Sequence, residues 1–320
     1  MILAAGRGTR LMPLTTSRPK PLLPVANRPV MAQGLQTLRH IGITAACVNV
    51  SYHGGQIMEA FGDGRAHGMR LHWSQEEEPT GTAGGMKRMQ SLLGDDQVVI
   101  IAGDAMLDLD LVPLLAAHRA CGAFATLATV TVSDPSEYGV VVTDAEHRIM
   151  HFQEKPAPGT EISHQANTGI YIFEPGIFDL IPAGEFCDFA LNVFPEILRR
   201  QLPFFAFPLE GYWTDIGNPA DYLQANLDYL AGGIRVEGRG QRVNGNLIAR
   251  DVSVAGAKLV QCVIGDDVVL PRGTDLTRCV VWPGTVLPEA CCMTSAVLTP
   301  EGSYQVEGKT ARVIDIPITV

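Results

Sequence analysis

No aspartate or glutamate occurs before Glu59, although Arg7, Arg10, Arg18, Lys20, Arg28 and Arg39 all lie in that stretch. The chain of 320 residues nevertheless carries a formal charge of -10. An anionic substrate would be drawn to the amino-terminal segment and repelled elsewhere, and the acidic balance argues against nucleic acid or an anionic membrane as a partner. No apolar run reaches bilayer-spanning length, and the opening residues lack the charged and long apolar regions of a signal peptide. The seven cysteines are odd in number, irregularly spaced and without a C-x-x-C pair, which fits a reduced cytoplasmic chain. Charged residues make up only 18% against 46% hydrophobic, the balance of a globular protein long enough for one large or two ordinary domains.

What the amino terminus does contain is a candidate phosphate loop. An apolar run Ile2-Leu3-Ala4-Ala5 leads into Gly6-Arg7-Gly8-Thr9-Arg10-Leu11, and ten residues later Lys20 stands between Pro19 and Pro21. Glycines let backbone N–H groups approach an anion, Thr9 adds a hydroxyl, and Arg10 adds a fork of donors. Two familiar phosphate motifs do not fit. A dinucleotide fingerprint needs a third glycine where Leu11 stands, and a P-loop needs Lys-Ser/Thr directly after its last glycine.

Periodicity predicts helices over 30–41, 56–61 and 83–93, alternating with strands over 43–50, 69–73 and 98–101. This alternation indicates a doubly wound, mostly parallel, Rossmann-like α/β sheet that binds ligands beyond the carboxyl ends of its strands. The glycine loop lies at one such end, and Ala102-Gly103-Asp104 at another. Strands are then predicted over 123–132, 138–142, 148–152 and 168–173, with helices over 190–200 and 219–230. The glycine-rich, charged stretch 231–240 reads as a boundary between a domain of 1–232 and another of 233–320.

Beyond it the chain repeats. Leu259-x-x-Cys262-Val263-Ile264, Leu276-x-x-Cys279-Val280-Val281 and Cys292-x-x-Ser295-Ala296-Val297 recur at steps of 17 and 16, with aliphatics six apart at Ile264, Leu270 and Leu276. Six-residue steps predict two or three coils of a parallel β-helix, with a small β-sandwich as the alternative. Such coils commonly mediate assembly.

The run from Leu3 through Pro19-Lys20-Pro21 to Val25 resembles the signature loop of the sugar-1-phosphate nucleotidyltransferases, or nucleotide-sugar pyrophosphorylases, and later segments match in the same order. Relative to that family the start is a few residues short. The resemblance implies a catalytic domain followed by a short left-handed β-helix, Mg²⁺ as cofactor, an NTP and a hexose 1-phosphate as substrates, and a homo-oligomer. It further implies that Arg10 and Lys20 are catalytic, meeting respectively the departing β- and γ-phosphates and the phosphates near the reacting centre. Asp104 and Asp215, the latter in Trp213-Thr214-Asp215-Ile216-Gly217, match the metal positions. Leu3, Ala5, Gly6, Gly8, Thr9, Glu76, Gly81 and Thr82 match the nucleotide site, and Gly139, Glu154, Lys155, Asn167 and Thr168 the sugar-phosphate wall.

Glu76-Glu77-Glu78-Pro79-Thr80-Gly81-Thr82-Ala83-Gly84 is most similar to the guanylyltransferase version of the base loop. A carboxylate at Glu76 would accept from both N1–H and the 2-amino group of guanine, a paired contact worth about 1–3 kcal/mol. The alternative is a solvated run of acids. The resemblance thus implies GDP-mannose synthesis from GTP and mannose 1-phosphate. A UTP- or dTTP-dependent glucose-1-phosphate enzyme is the nearest rival, followed by a non-catalytic nucleotide-sugar sensor. A β-helix acyltransferase is disfavoured because the repeats are few and no catalytic His stands out.

Overall fold

The computed structural model describes residues 1–250 and 252–314, so the last six positions of the expected second domain lie outside the described residues. Packing divides the chain into two compact units, 1–6 with 34–213 and 7–33 with 214–320. The division does not follow the boundary expected at 232. The amino-terminal loop leaves its strand and packs with the carboxyl-terminal part of the chain.

The first unit is built on a nine-stranded sheet. Its strands are β1 (Ile2–Ala4), β2 (Ala45–Val50), β3 (Arg70–Gln75), β4 (Val98–Ala102), β5 (Ala125–Thr131), β6 (Gly139–Thr143), β7 (Ile149–Glu154), β8 (Gln165–Phe173) and β9 (Phe204–Pro208). They run in the order β7-β6-β8-β4-β1-β2-β3, with β5 pairing β8 and β9. β4, β1, β2 and β3 are parallel neighbours, and β8 turns antiparallel against β4. β4 reads Val98-Val99-Ile100-Ile101, the unbroken apolar run of a strand covered on both faces. The sheet is flanked in sequence by α1 (Val30–His40), α2 (Gly54–Phe61), α3 (Gly81–Arg88), α4 (Gln90–Leu93), α5 (Val112–Ala120) and α6 (Phe194–Arg199). α1 buries Met31, Leu35 and Leu38, the spacing of one helical face. Under β8, Tyr171, Phe173, Phe189, Phe194 and Phe204 form an aromatic core whose neighbouring rings lie 5.0–6.1 Å apart.

Two segments depart from the sequence reading. The helix expected over 83–93 is two, α3 and α4, separated at buried Met89. Residues 105–120, left unassigned, form the strand Ala105–Leu109 and α5, whose first turn is held by Asp110 Oδ1 accepting from Val112 N at 2.9 Å. Among the described residues no helix is long and apolar enough to cross a membrane.

In the second unit, α7 (Pro219–Ala231) is followed by stacked strands. Lys258–Val260, Asp275–Thr277 and Cys292–Thr294 form one parallel ladder; Asn246–Ile248, Val263–Ile264, Val280–Val281 and Ala296–Thr299 form another. A bridge between Val269 and Val286 stands apart from both. The pairing Leu276↔Met293 and Val280↔Val297 keeps a step of 17 throughout, so the third repeat begins at Met293 and not at Cys292. Packing explains the slip: Met293 is 5% exposed and faces the core, whereas Cys292 faces solvent. A shift of one residue exchanges the two faces of a strand.

Candidate active site

In the first unit, β1 lies between β2 and β4, the point where strand order reverses and the carboxyl ends of parallel strands leave a crevice. Leu3 pairs with Ala102, and Gly103 N donates to Leu3 O at 2.8 Å. Leu3 and Ala5 are therefore set beside the turn that carries Asp104. Gly6 is exposed, with nothing within 4 Å of where a Cβ would stand, so protein packing does not account for glycine there.

The loop after β3 departs from both readings of its acidic run. Glu76 is only 2% exposed. Its Oε1 accepts from Asn49 Nδ2 at 2.8 Å, and its Oε2 accepts from Thr80 N at 2.8 Å and Thr80 Oγ1 at 2.6 Å. Asn49 Oδ1 in turn accepts from Ala4 N at 3.2 Å. The carboxylate thus ties the end of β1 to the loop expected to read the base, and both of its oxygens are engaged within the protein. Glu77 and Glu78 are the exposed members of the run. Gly81 has φ +83, and a Cβ there would come within 2.3 Å of Cys187 O, so backbone and close approach both demand glycine. Thr82 Oγ1 donates to Asp188 Oδ2 at 2.8 Å and accepts from Phe189 N at 2.9 Å. Cys187 O accepts from Ala83 N and Gly84 N, which closes the amino-terminal end of α3 with a carbonyl.

The residues expected to form the sugar-phosphate wall gather around β6, β7 and β8. A Cβ on Gly139 would lie 2.7 Å from Glu154 Oε2 and 2.6 Å from Phe152 Cζ, so the glycine admits the carboxylate against the strand. Burial pushes the Glu154 carboxyl above its ordinary pKa, neighbouring Lys155 opposes this, and Asp188 adds to it. Lys155 has φ +43 and donates its backbone N–H to Tyr138 O at 3.0 Å. Asn167 Nδ2 donates to Tyr171 Oη at 2.9 Å, and its Oδ1 accepts from Gly169 N at 3.1 Å. Thr168 Oγ1 donates to Ala128 O, and Thr168 O accepts from Trp213 Nε1 at 3.0 Å. Tyr138 meets the Trp213 ring edge-on at 5.4 Å.

In the second unit, Lys20 is 6% exposed and donates from Nζ to Asp215 Oδ1 at 2.6 Å, while Arg10 Nη2 lies 3.5 Å from Asp215 Oδ2. A lysine so deeply buried requires a partner. Pro19 caps the 3₁₀ turn Lys20–Leu22, in which Pro21 is the middle residue, and Gly8, at φ +61, caps the turn Thr9–Leu11. Thr15 Oγ1 fastens the latter by donating to Gly8 O at 2.8 Å. A Cβ on Gly217 would stand 3.2 Å from Asp215 Oδ2, 3.3 Å from Asp221 Oδ2 and 3.5 Å from Arg10 Nη1, so glycine leaves room for the charged groups around it. The Asp221 carboxyl is raised by burial and then by neighbouring Asp215, with Lys309 opposing.

The structure brings Arg10, Lys20 and Asp215 together, and separately assembles Gly139 with Glu154 and Leu3 with the strand end before Asp104. Sequence reasoning missed Asn49 and Asp188. Asn49 had a signal: it is the lone polar side chain in the buried run Ala45-Ala46-Cys47-Val48-Asn49-Val50, and a buried amide needs partners.

A Nucleotidyl transferase family model matches residues 1–232. Over 238 residues the chain is 43% identical to a UTP–glucose-1-phosphate uridylyltransferase of Synechocystis, covering 70% of this chain and 61% of that protein. It is 36% identical over 234 residues to a mannose-1-phosphate guanylyltransferase of Mycobacterium tuberculosis, covering 72% of this chain and 64% of that protein. The matches thus span somewhat less than two thirds of these relatives' length. A crystal structure from Bacillus anthracis, assigned as a glucose-1-phosphate thymidylyltransferase, superposes with a TM-score of 0.66 at 26% identity, covering 74% of this chain and 95% of that one. With a family match over most of its length and the same α/β architecture, the chain belongs to the nucleotidyl transferase family.

Proposed function

We propose that the protein transfers a nucleotidyl group from an NTP to a hexose 1-phosphate. A sugar-phosphate oxygen attacks the α-phosphorus, the bond to the β-phosphate oxygen breaks, and pyrophosphate leaves with the bonding electrons. Both reactants are anions, so catalysis reduces to neutralising charge and holding the groups in line. The observation that carries this reading is the convergence of Arg10 and buried Lys20 on Asp215, in a loop preceded and followed by no acid until Glu59. Burial weakens the screening of the Lys20 charge, so an incoming phosphate feels it strongly. Arg10, half exposed, offers its fork to the departing phosphates. Glu154 and Lys155 serve the sugar phosphate, the carboxylate accepting from hydroxyls.

Asp104 and Asp215 offer hard carboxylate oxygens of the kind Mg²⁺ prefers, and the Asp215 side chain is 22% exposed, open enough to meet an ion. When bound, Mg²⁺ would neutralise phosphate charge during displacement. Among the described residues no group of three or more His, Cys, Asp or Glu converges, so most ligands would come from phosphates and water.

Motif likeness and the guanylyltransferase relatives support GTP and mannose 1-phosphate as the substrate pair. A second reading, UTP with glucose 1-phosphate, is supported by the uridylyltransferase at 43% identity and by the engagement of both Glu76 oxygens within the protein. Competition decides between them: purified protein is offered GTP, UTP and dTTP together with each sugar phosphate. GDP-sugar as the dominant product supports the first reading, and turnover of UTP or dTTP with GTP ignored overturns it.

A further inference from the structure

We infer that Tyr222 and Trp282 are positioning residues for Lys20, so that the carboxyl-terminal strand ladders set the geometry of the phosphate loop. The inference rests on the assignment of Lys20 to charge neutralisation. Around this lysine, Leu22 N donates to Pro19 O, and Leu23 N to Lys20 O. Its flanks are gripped from elsewhere in the same unit. The Arg18 guanidinium lies over the ring of Trp282, 4.8 Å from its centroid, and Trp282 is 1% exposed. Trp282 Nε1 donates to Tyr222 Oη at 2.8 Å, and Tyr222 Oη donates to Pro24 O at 2.8 Å.

Beyond Pro24, Ala26 and Asn27 adopt φ of 52 and 60, a two-residue turn whose first position is unfavourable for alanine. The turn is held by Asn226 Oδ1, which accepts from Ala26 N at 3.0 Å, and by Asn27 Nδ2, which donates to Ile264 O at 2.8 Å and Arg239 O at 3.1 Å. Lys20 therefore sits in a short bridge whose two piers are Trp282 and the strand containing Ile264. Tyr222 also lies in the first turn of α7, one residue after Asp221 and five after Gly217, the residues that surround Asp215. One hydroxyl thus links the backbone that carries the lysine to the first turn of the helix that follows its partner Asp215.

A double-mutant cycle on the full-length protein tests this. Tyr222→Phe leaves Pro24 O and the Trp282 N–H unpaired; Trp282→Phe keeps a six-membered ring beneath Arg18 and removes the N–H together with the five-membered ring, and it carries the cycle should the first variant fold poorly. Each is made in the wild type and in Lys20→Ala, and turnover is normalised to folded protein. The expected result for Tyr222→Phe is a fall in kcat of about tenfold, the scale of a sub-ångström misplacement, with the sugar 1-phosphate KM unchanged. Trp282→Phe should lose about threefold in the same way, and neither should lose more when Lys20 is already absent. Equal losses in both backgrounds, or a change in sugar KM alone, would overturn the positioning role. Absence of pyrophosphate release by the wild type would instead overturn the proposed reaction.

Discussion

Lys20 and Glu76 are both buried charged side chains, and their surroundings give them opposite tasks. Lys20 meets a carboxylate that also faces Arg10, so its charge is balanced but can be redirected to an arriving phosphate. Lys20→Ala should lower kcat about 10²- to 10³-fold, the range for removing one donor that stabilises developing charge. Its unfolding midpoint should move by only a few degrees, since Asp215 keeps Arg10 and some solvent; near-normal turnover would remove Lys20 from the chemistry. Glu76 spends three acceptances on Asn49 and Thr80. Glu76→Gln should therefore reduce stability by about 1–3 kcal/mol by leaving buried donors unmatched. The ratio of GTP to UTP turnover should stay unchanged; a shifted ratio without destabilisation would restore a base-reading role.

Glu154 adds a pH signature. Its folded pKa lies above the ordinary glutamate value, so the folded state holds the proton more tightly than the unfolded chain does. Its contribution to stability is accordingly present at low pH and lost as pH rises through the glutamate range towards the raised pKa. Function runs the other way, because only the carboxylate accepts from two hydroxyls. The acid limb of kcat/KM for the sugar phosphate should lie above the pH of an unperturbed glutamate, and Glu154→Gln should abolish that limb while raising KM.

At the level of elements, sequence pattern located the parallel strands well and the glycine positions only in part. β4 announces itself as an unbroken apolar run, β2 as one interrupted by Asn49 alone, and α1 as a 3.6-residue face. The packing of Gly139 was illegible, because it depends on Phe152 and Glu154 across a strand pair whose register no single segment encodes. Gly139→Ala would drive a methyl into that carboxylate and should raise the sugar-phosphate KM about tenfold, with the NTP KM unchanged. An equal rise in both would point to general misfolding instead. The third repeat of the ladders was misread by one residue for a related reason: Cys292 matches the earlier cysteines by eye, but side chains are sorted by burial, and Met293 is the residue that fills the core row after Leu276.

Across the whole molecule, the cationic amino terminus and the family pattern were legible because they are local in sequence. The partition into units was not. It depends on Asn27 reaching Ile264 and on Trp282 reaching Tyr222, contacts across 237 and 60 residues that a scan of composition places in different domains. The internal use of Glu76 was hidden likewise, since its partner Asn49 sits in another strand. The central claim is that this fold neutralises two anions so that one can displace pyrophosphate from the other. The most direct measurement is product analysis after incubating the full-length protein with Mg²⁺, each NTP and each hexose 1-phosphate. The account predicts pyrophosphate and a nucleotide sugar in equal amounts, formed by the wild type and nearly lost in Lys20→Ala; nucleotide binding without either product from any pair would contradict it.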